Sequence, residues 1–179
     1  LKIAQHQNIS HYPIHIKLDT GMHRLGFEPH LISELCSLLK NNNFVKVKSV
    51  FSHLAASDDL QFDDFTKLQF QRFDAMYSEL EKVLPSKPIR HILNTSGIFN
   101  YAEKQMEMVR LGIGLYGIGN SEQELKVLEN VSTLKTIISQ IREVAPEESI
   151  GYSRRFRVTQ KMKVATIPIG YADGIRRAW

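Results

Sequence analysis

"KLDTGMHRLGF", residues 17–27, carries more chemistry than a connection between a strand and a helix needs. Just upstream, residues 13–19 alternate Ile14, Ile16 and Leu18 with His15, Lys17 and Asp19, the period-two pattern of a half-buried strand. Beyond Asp19 come Thr20, Gly21, His23, Arg24 and Gly26, where a short polar turn would have sufficed. Downstream, Leu31, Ile32, Leu35, Leu38 and Leu39 fall at helical spacing, with Pro29 near the start and three asparagines at 41–43 near the end. "NFVKVKSVFSHLA" reads as a second strand over residues 45–51, and a long amphipathic helix follows with the stripe Phe65, Leu68, Phe73, Met76, Leu80, Val83. "IRHILNTSG" predicts a third strand, "GIFNYAE" a short helix and "MVRLGIGLYG" a fourth strand. Strands separated by helices require parallel crossovers, so the class is α/β, as an open sheet or a barrel.

The pattern changes after Gly119. From Val131 on, "VSTLKTIISQIREV", "ESIGYSRRFRV" and "MKVATIPIGYADG" read as strand after strand with no helix of useful length between them. A second, all-β domain is expected, with its boundary in the polar stretch 120–124, giving domains over 1–122 and 123–179. A complete eight-fold β/α barrel takes about 250 residues. The expectation is therefore a middle section of a longer polypeptide, holding the C-terminal half of a TIM-like barrel and the start of a β domain.

Composition bounds the chemistry. The chain of 179 residues is 42% hydrophobic, enough for a substantial core. Twenty-three basic against 19 acidic residues leave a net charge of +4, too small and too scattered to indicate a nucleic-acid partner. The local clusters Arg154, Arg155, Arg157 and Arg176, Arg177 read as solvated surface. Cys36, the single cysteine, shares a helical face with Ile32, Leu35 and Leu39 and reads as a buried thiol. There is no apolar stretch of membrane-spanning length and no signal-peptide pattern, from which a reducing, cytoplasmic setting is expected. His6, His11, His15, His23 and His30 lack metal-ligand spacing, so no catalytic metal is expected.

"KLDTGMHRLG" resembles a motif of the alanine racemase family, and it does not stand alone. "FSHLA" (51–55), "RHILNTSG" (90–97), "VRLGIGLYG" (109–117), "SIGYSRRF" (149–156) and "IPIGYADG" (167–174) are similar to further motifs of that family, in the family's order. Singly they are bland: His53 and His91 read as structural histidines, Tyr171 as a packed aromatic, and "GIG" is too short to carry meaning. Arg110 is more telling, because an arginine within an apolar strand must find an anion or acceptor. The ordered set outweighs the bland readings.

The resemblance implies a pyridoxal 5′-phosphate (PLP) binding β/α barrel followed by a β domain, working as a homodimer on alanine and supplying D-alanine for peptidoglycan. Racemisation removes the Cα proton on one face and returns one on the other, so it needs two bases. In the family these are the lysine that carries PLP and a tyrosine donated by the partner subunit, which Tyr152 matches. A phenol has a pKa near 10 and needs help from neighbours. His53 matches the histidine that hydrogen-bonds the tyrosine, Arg110 the arginine facing the pyridine nitrogen, and His91 the histidine behind it. An arginine stays protonated, so its donation keeps the pyridine nitrogen unprotonated and the electron sink weak, which favours quick reprotonation.

Arg24 matches the arginine that reaches the cofactor's phenolic oxygen and the substrate carboxylate region. Lys17 matches a lysine that is carbamylated in many members and holds that arginine, and Asp19 reads as a structural partner at the strand end. Thr95, Gly112, Ile113 and Tyr171 match the phosphate contacts, with threonine where the family has serine. His23 replaces a residue that is usually small. Nothing resembles the motif of the cofactor-bearing lysine, the substrate-recognising tyrosine or the later Met-Asp segment, so this chain alone is not expected to racemise alanine. A racemase for serine or another small amino acid and a non-catalytic PLP-binding barrel protein are the competing readings, and some members are fused behind a cell-wall ligase.

Overall fold

The computed structural model describes residues 1–176; Arg177, the second member of the basic pair, lies outside the described residues. Two compact units are present, Leu1–Ser132 and a second beginning at Thr133.

The first unit opens with the short helix α1 (Lys2–His6), followed by β1 (Tyr12–Lys17), α2 (Ile32–Leu39), β2 (Val45–Phe51), α3 (Asp63–Glu81), β3 (Ile89–His91), α4 (Thr95–Asn100) and α5 (Glu122–Val127). The three strands form one parallel sheet in the order β1-β2-β3, with α2 and α3 as the crossovers. This is the β/α alternation that the sequence predicts. A register shift between Ile14 and His15 lets β1 follow β2 to Lys17, opposite Phe51.

Helix α2 buries Ile32, Leu35 and Leu39, at the spacing expected for one face. Cys36 is half-buried beside that face and its Sγ donates to the Glu79 carbonyl at 3.5 Å. Helix α3 starts with Asp63 and Asp64, acidic residues that suit the positive end of the helix dipole. Its buried face differs from the apolar stripe in the sequence. Phe73, Met76 and Leu80 are in the core, but Leu68 is 38% exposed, and Thr66, Gln69, Phe70 and Tyr77 are buried. The buried polar residue Gln69 is there because it serves the loops above the sheet.

The fourth expected strand does not form. Arg110 N–H donates to the Leu93 carbonyl at 3.0 Å, as a ladder would begin. Then Gly112 and Gly114 N–H turn to the Thr95 hydroxyl at 3.0 and 3.2 Å, and residues Ile113–Tyr116 make a 3-10 turn. A side-chain acceptor thus captures the amides that a strand would have given to a neighbour.

In the second unit β4 (Gln140–Val144) pairs antiparallel with β7 (Met162–Thr166), and the two-residue strands β5 (Ser149–Ile150) and β6 (Phe156–Arg157) pair with each other. Val158 is buried there, and its N–H and C=O bond Glu148 and Glu147. Among the described residues no helix is long and apolar enough to cross a membrane.

Candidate active site at the C-terminal edge of the sheet

Parallel β/α sheets present their functional loops beyond the strand C-termini. The loop after β1 is shaped by Asp19. Its Oδ1 accepts from Gly21 and His23 N–H at 2.9 and 3.1 Å. Burial raises the Asp19 pKa, but these amide bonds and the nearby His23 outweigh it, and the carboxyl is held below its usual range. The loop returns to pair Leu18 with Phe27, where a Cβ on Gly26 (φ +118) would stand 2.9 Å from the Lys17 carbonyl oxygen and 3.0 Å from Asp19 N. Gly26→Ala is expected to cost about 1–3 kcal/mol, read as a lower urea midpoint at unchanged slope.

A buried chain of hydrogen bonds joins this loop to the one after β2. Gln69 Nε2 donates to Thr20 Oγ1 (3.0 Å) and to the His53 carbonyl (3.1 Å), while Gln69 Oε1 accepts from Ala55 N–H (2.9 Å). The Thr20 and Ser52 hydroxyls are 2.8 Å apart, and Ser52 Oγ donates to the Leu18 carbonyl at 2.7 Å. Gln69 is fully buried and has every polar group engaged, so it fixes the backbone that carries His53.

Arg110 is the centre of the site. Its Nη2 donates to the carbonyls of Ser52 (2.6 Å) and Ile92 (3.2 Å) and to His53 Nδ1 (3.3 Å); its Nη1 donates to the His91 carbonyl (3.2 Å) and, over a short contact, to His91 Nδ1. The guanidinium also lies over the Phe51 ring, 5.4 Å from its centroid. Among the described residues no carboxylate pairs with it. Burial lowers its pKa from the ordinary arginine value, as it does for any cation that is desolvated without an anion.

Both histidines respond. Burial first and the Arg110 charge second lower the His91 pKa to about 4. Burial, then Arg110, Lys17 and Arg24, lower that of His53. Both rings are therefore neutral at pH 7. Because arginine has no acceptor, each must present a bare Nδ1 to it and carry its proton on Nε2.

A cavity of about 360 Å³ opens beside these groups, lined in part by His53, Arg110, Asn94, Thr95, Gly112 and Ile113. Its size is within the range of small-molecule sites. Thr95 is at the start of α4, whose N-cap Asn94 accepts from Gly97 N–H at 3.0 Å and from Ser57 Oγ at 2.7 Å. A Cβ on Gly112 would have only the Thr95 hydroxyl within 4 Å, so the space beside it is open, whereas one on Gly114 would meet Thr95 Cγ2 at 2.7 Å.

The structure thus brings His53, Arg110, His91, Thr95, Gly112 and Ile113 together. Lys17 is half-buried at the end of β1, and Arg24 is exposed, in a separate depression with Asp19, Leu25 and Glu28. Tyr152 and Tyr171 belong to the second unit. Tyr152 is 84% exposed on a 3-10 turn in which Ser153 and Arg154 both adopt left-handed φ angles of 60° and 50°. Tyr171 is 63% exposed, on the turn Tyr171–Asp173. Motif reading passes over Gln69, which holds the His53 backbone, and over Ser49 and His15, which continue the hydrogen bonds behind His91. Strand alternation places His15 with Lys17 and Ser49 with Phe51 and His53, which would have singled out the last two.

The sequence model of the family described as "Alanine racemase, N-terminal domain" matches residues 1–120, and "Alanine racemase, C-terminal domain" matches residues 131–179. A curated relative, alanine racemase 1 of Oceanobacillus iheyensis, is 36% identical over 168 residues, which cover 92% of this chain and 44% of that protein. Among solved structures, the alanine racemase from D-cycloserine producing Streptomyces lavendulae superposes with a TM-score of 0.84 at 26% identity, over 98% of this chain and 47% of its own. That of Bartonella henselae, solved with covalently bound pyridoxal phosphate, gives 0.77 at 27%, over 99% and 47%. The chain spans about half the length of the relatives it matches.

Proposed function

Because the chain belongs to the alanine racemase family, we propose that its residues form one wall of a PLP-dependent site that interconverts L- and D-alanine. The observation that carries this reading is Arg110, a half-buried cation without a carboxylate partner among the described residues, fixed by five acceptors on the rim of a cavity whose other side offers a hydroxyl and a glycine turn. That donor set fits a planar heteroaromatic acceptor carrying a phosphate.

When bound, the cofactor supplies an electron sink that acidifies the Cα–H of an amino acid. The protein groups do the rest. Arg110 would donate toward the ring nitrogen without surrendering its proton, because no base here competes with a guanidinium. Thr95, Gly112 and Ile113 would hold the phosphate. Arg24, in its separate depression, would have to swing toward the cavity to reach the phenolic oxygen and the substrate carboxylate, and Lys17 in carbamylated form would then steady it. His53, with its proton on Nε2, donates to the phenolic oxygen of Tyr152 from a second copy of the chain, which lowers the cost of that phenol acting as a base. The opposite face requires the cofactor-bearing lysine, for which these residues have no match. In this reading the barrel residues 1–122 bind PLP and residues 123–179 bring the tyrosine to a homodimer interface. The enzyme acts in the cytoplasm, making D-alanine for peptidoglycan.

The test follows Cα deuteration and D-alanine formation from L-alanine with PLP in heavy water. It uses the polypeptide that carries these residues together with the lysine segment, and this chain beside it as control. D-alanine from the first and none from the second is expected. Bound PLP without exchange on alanine or serine would leave a cofactor carrier in place of an enzyme. Intact mass of the same preparation without acid shows whether Lys17 carries the carbamate.

A further inference from the structure

On the side of His91 away from Arg110, a second set of contacts continues across the sheet. His91 Nε2 is 3.1 Å from Ser49 Oγ, and Ser49 Oγ is 2.6 Å from His15 Nδ1. The three residues lie on the same sheet face of β3, β2 and β1, and His15 is the register partner of Ser49. His91 is buried, Ser49 is buried, and His15 is at the exposed end.

Hydrogen-bond direction along this row is determined by its first member. Arg110 can only donate, so His91 Nδ1 accepts and Nε2 carries the proton. That proton goes to Ser49 Oγ, and the Ser49 hydroxyl is then free to donate to His15 Nδ1. The Phe51 ring stacks on His91 at 4.9 Å and 9°, which fixes the plane of the imidazole. Stacking does not distinguish the two orientations related by a 180° ring flip. One of them replaces Nδ1 with a carbon facing Arg110. A hydroxyl waiting for the Nε2 proton selects the other.

We infer that Ser49, backed by His15, is a positioning residue that selects the ring orientation of His91 and through it holds the Arg110 guanidinium on its aim into the cavity. The link to catalysis rests on the reading of Arg110 as a cofactor contact. The alignment of Arg110 itself does not, since it is a property of the free chain.

The experiment uses the chain with ¹⁵N-labelled histidine and arginine and no PLP. Wild type is expected to show His91 with protonated Nε2 and bare Nδ1, and hindered Arg110 Nη protons. In Ser49→Ala the Arg110 Nη protons should exchange about tenfold faster, the equivalent of one lost hydrogen bond, and the His91 Nδ1 signal should lose its hydrogen-bonded shift. Ser49→Thr, which keeps the hydroxyl, should restore both. His15→Ala, at the exposed end, should move both signals the same way by less, and provides the reading should Ser49→Ala fold poorly. A protonated Nδ1 in wild type, or His91 and Arg110 signals unmoved in the folded variants, would overturn the inference. The wild-type pattern in a protein that does not bind PLP would sink the cofactor reading and leave this one standing.

Discussion

Replacing Arg110 by leucine is expected to weaken PLP binding about ten- to a hundredfold, the worth of one charge-assisted hydrogen bond in a partly desolvated site. Folding stability should change far less. The substitution strips a donor from three carbonyls and two ring nitrogens, which costs stability. It also removes a desolvated cation that has no carboxylate partner among the described residues, which returns some. On the proposed reading such a cation is retained for what it binds, a trade of stability for function. His53 and His91 should titrate closer to the ordinary histidine range in the variant, because Arg110 is second only to burial among the causes that lower both. Arg110→Lys keeps the charge but loses the planar fork that reaches acceptors at the C-terminal ends of β2 and β3, and should resemble the leucine variant more than the wild type. A PLP absorbance titration run beside urea unfolding separates the two effects. Unchanged affinity in Arg110→Leu would remove Arg110 from the cofactor contact.

The strands and crossover helices of the first unit were legible because period two and period 3.6 are written in apolar residues: Ile14 and Ile16 on β1, with Leu18 just beyond it, and Ile32, Leu35, Leu39 on α2. Legibility failed where polar side chains replace backbone partners. "MVRLGIGLYG" has strand composition, yet the Thr95 hydroxyl takes the Gly112 and Gly114 amides and bends it into a turn. On α3 the apolar stripe misses Thr66 and Gln69, both buried; Gln69 occupies its core position because two loops need its hydrogen bonds.

The same distinction holds at the site. His53, His91, Arg110 and Thr95 were reached through motif resemblance, and the geometry adds what no motif states: the guanidinium is shared by two bare ring nitrogens and three carbonyls. Gln69 and Ser49 act at a distance of one side chain from those motifs. Their role depends on strand register and on a helix packed 16 residues later in sequence than the loop it holds, which local patterns do not encode.

Acid should expose the site before it exposes the surface. The folded pKa of His91 is about 4, below the value of 6.5 for a free histidine, so the unfolded chain binds this proton more readily than the folded one. The stability attached to a neutral His91 is fully present above pH 6.5 and is lost as pH falls toward 4, by about 3 kcal/mol in all. His53, lowered in the same direction, adds to the loss with the same sign. Carboxylates act lower. Glu107, held to about 2 by its bidentate bonds from Arg90, loses its contribution only as pH falls from 4.5 toward 2. The two windows are separable in urea midpoints measured from pH 7 to pH 3. His91→Gln should flatten the upper window and leave the lower one. An unaltered slope between pH 6.5 and 4.5 in that variant would mean that His91 takes up its proton equally in the folded and unfolded chains and that Arg110 does not use its Nδ1 as an acceptor.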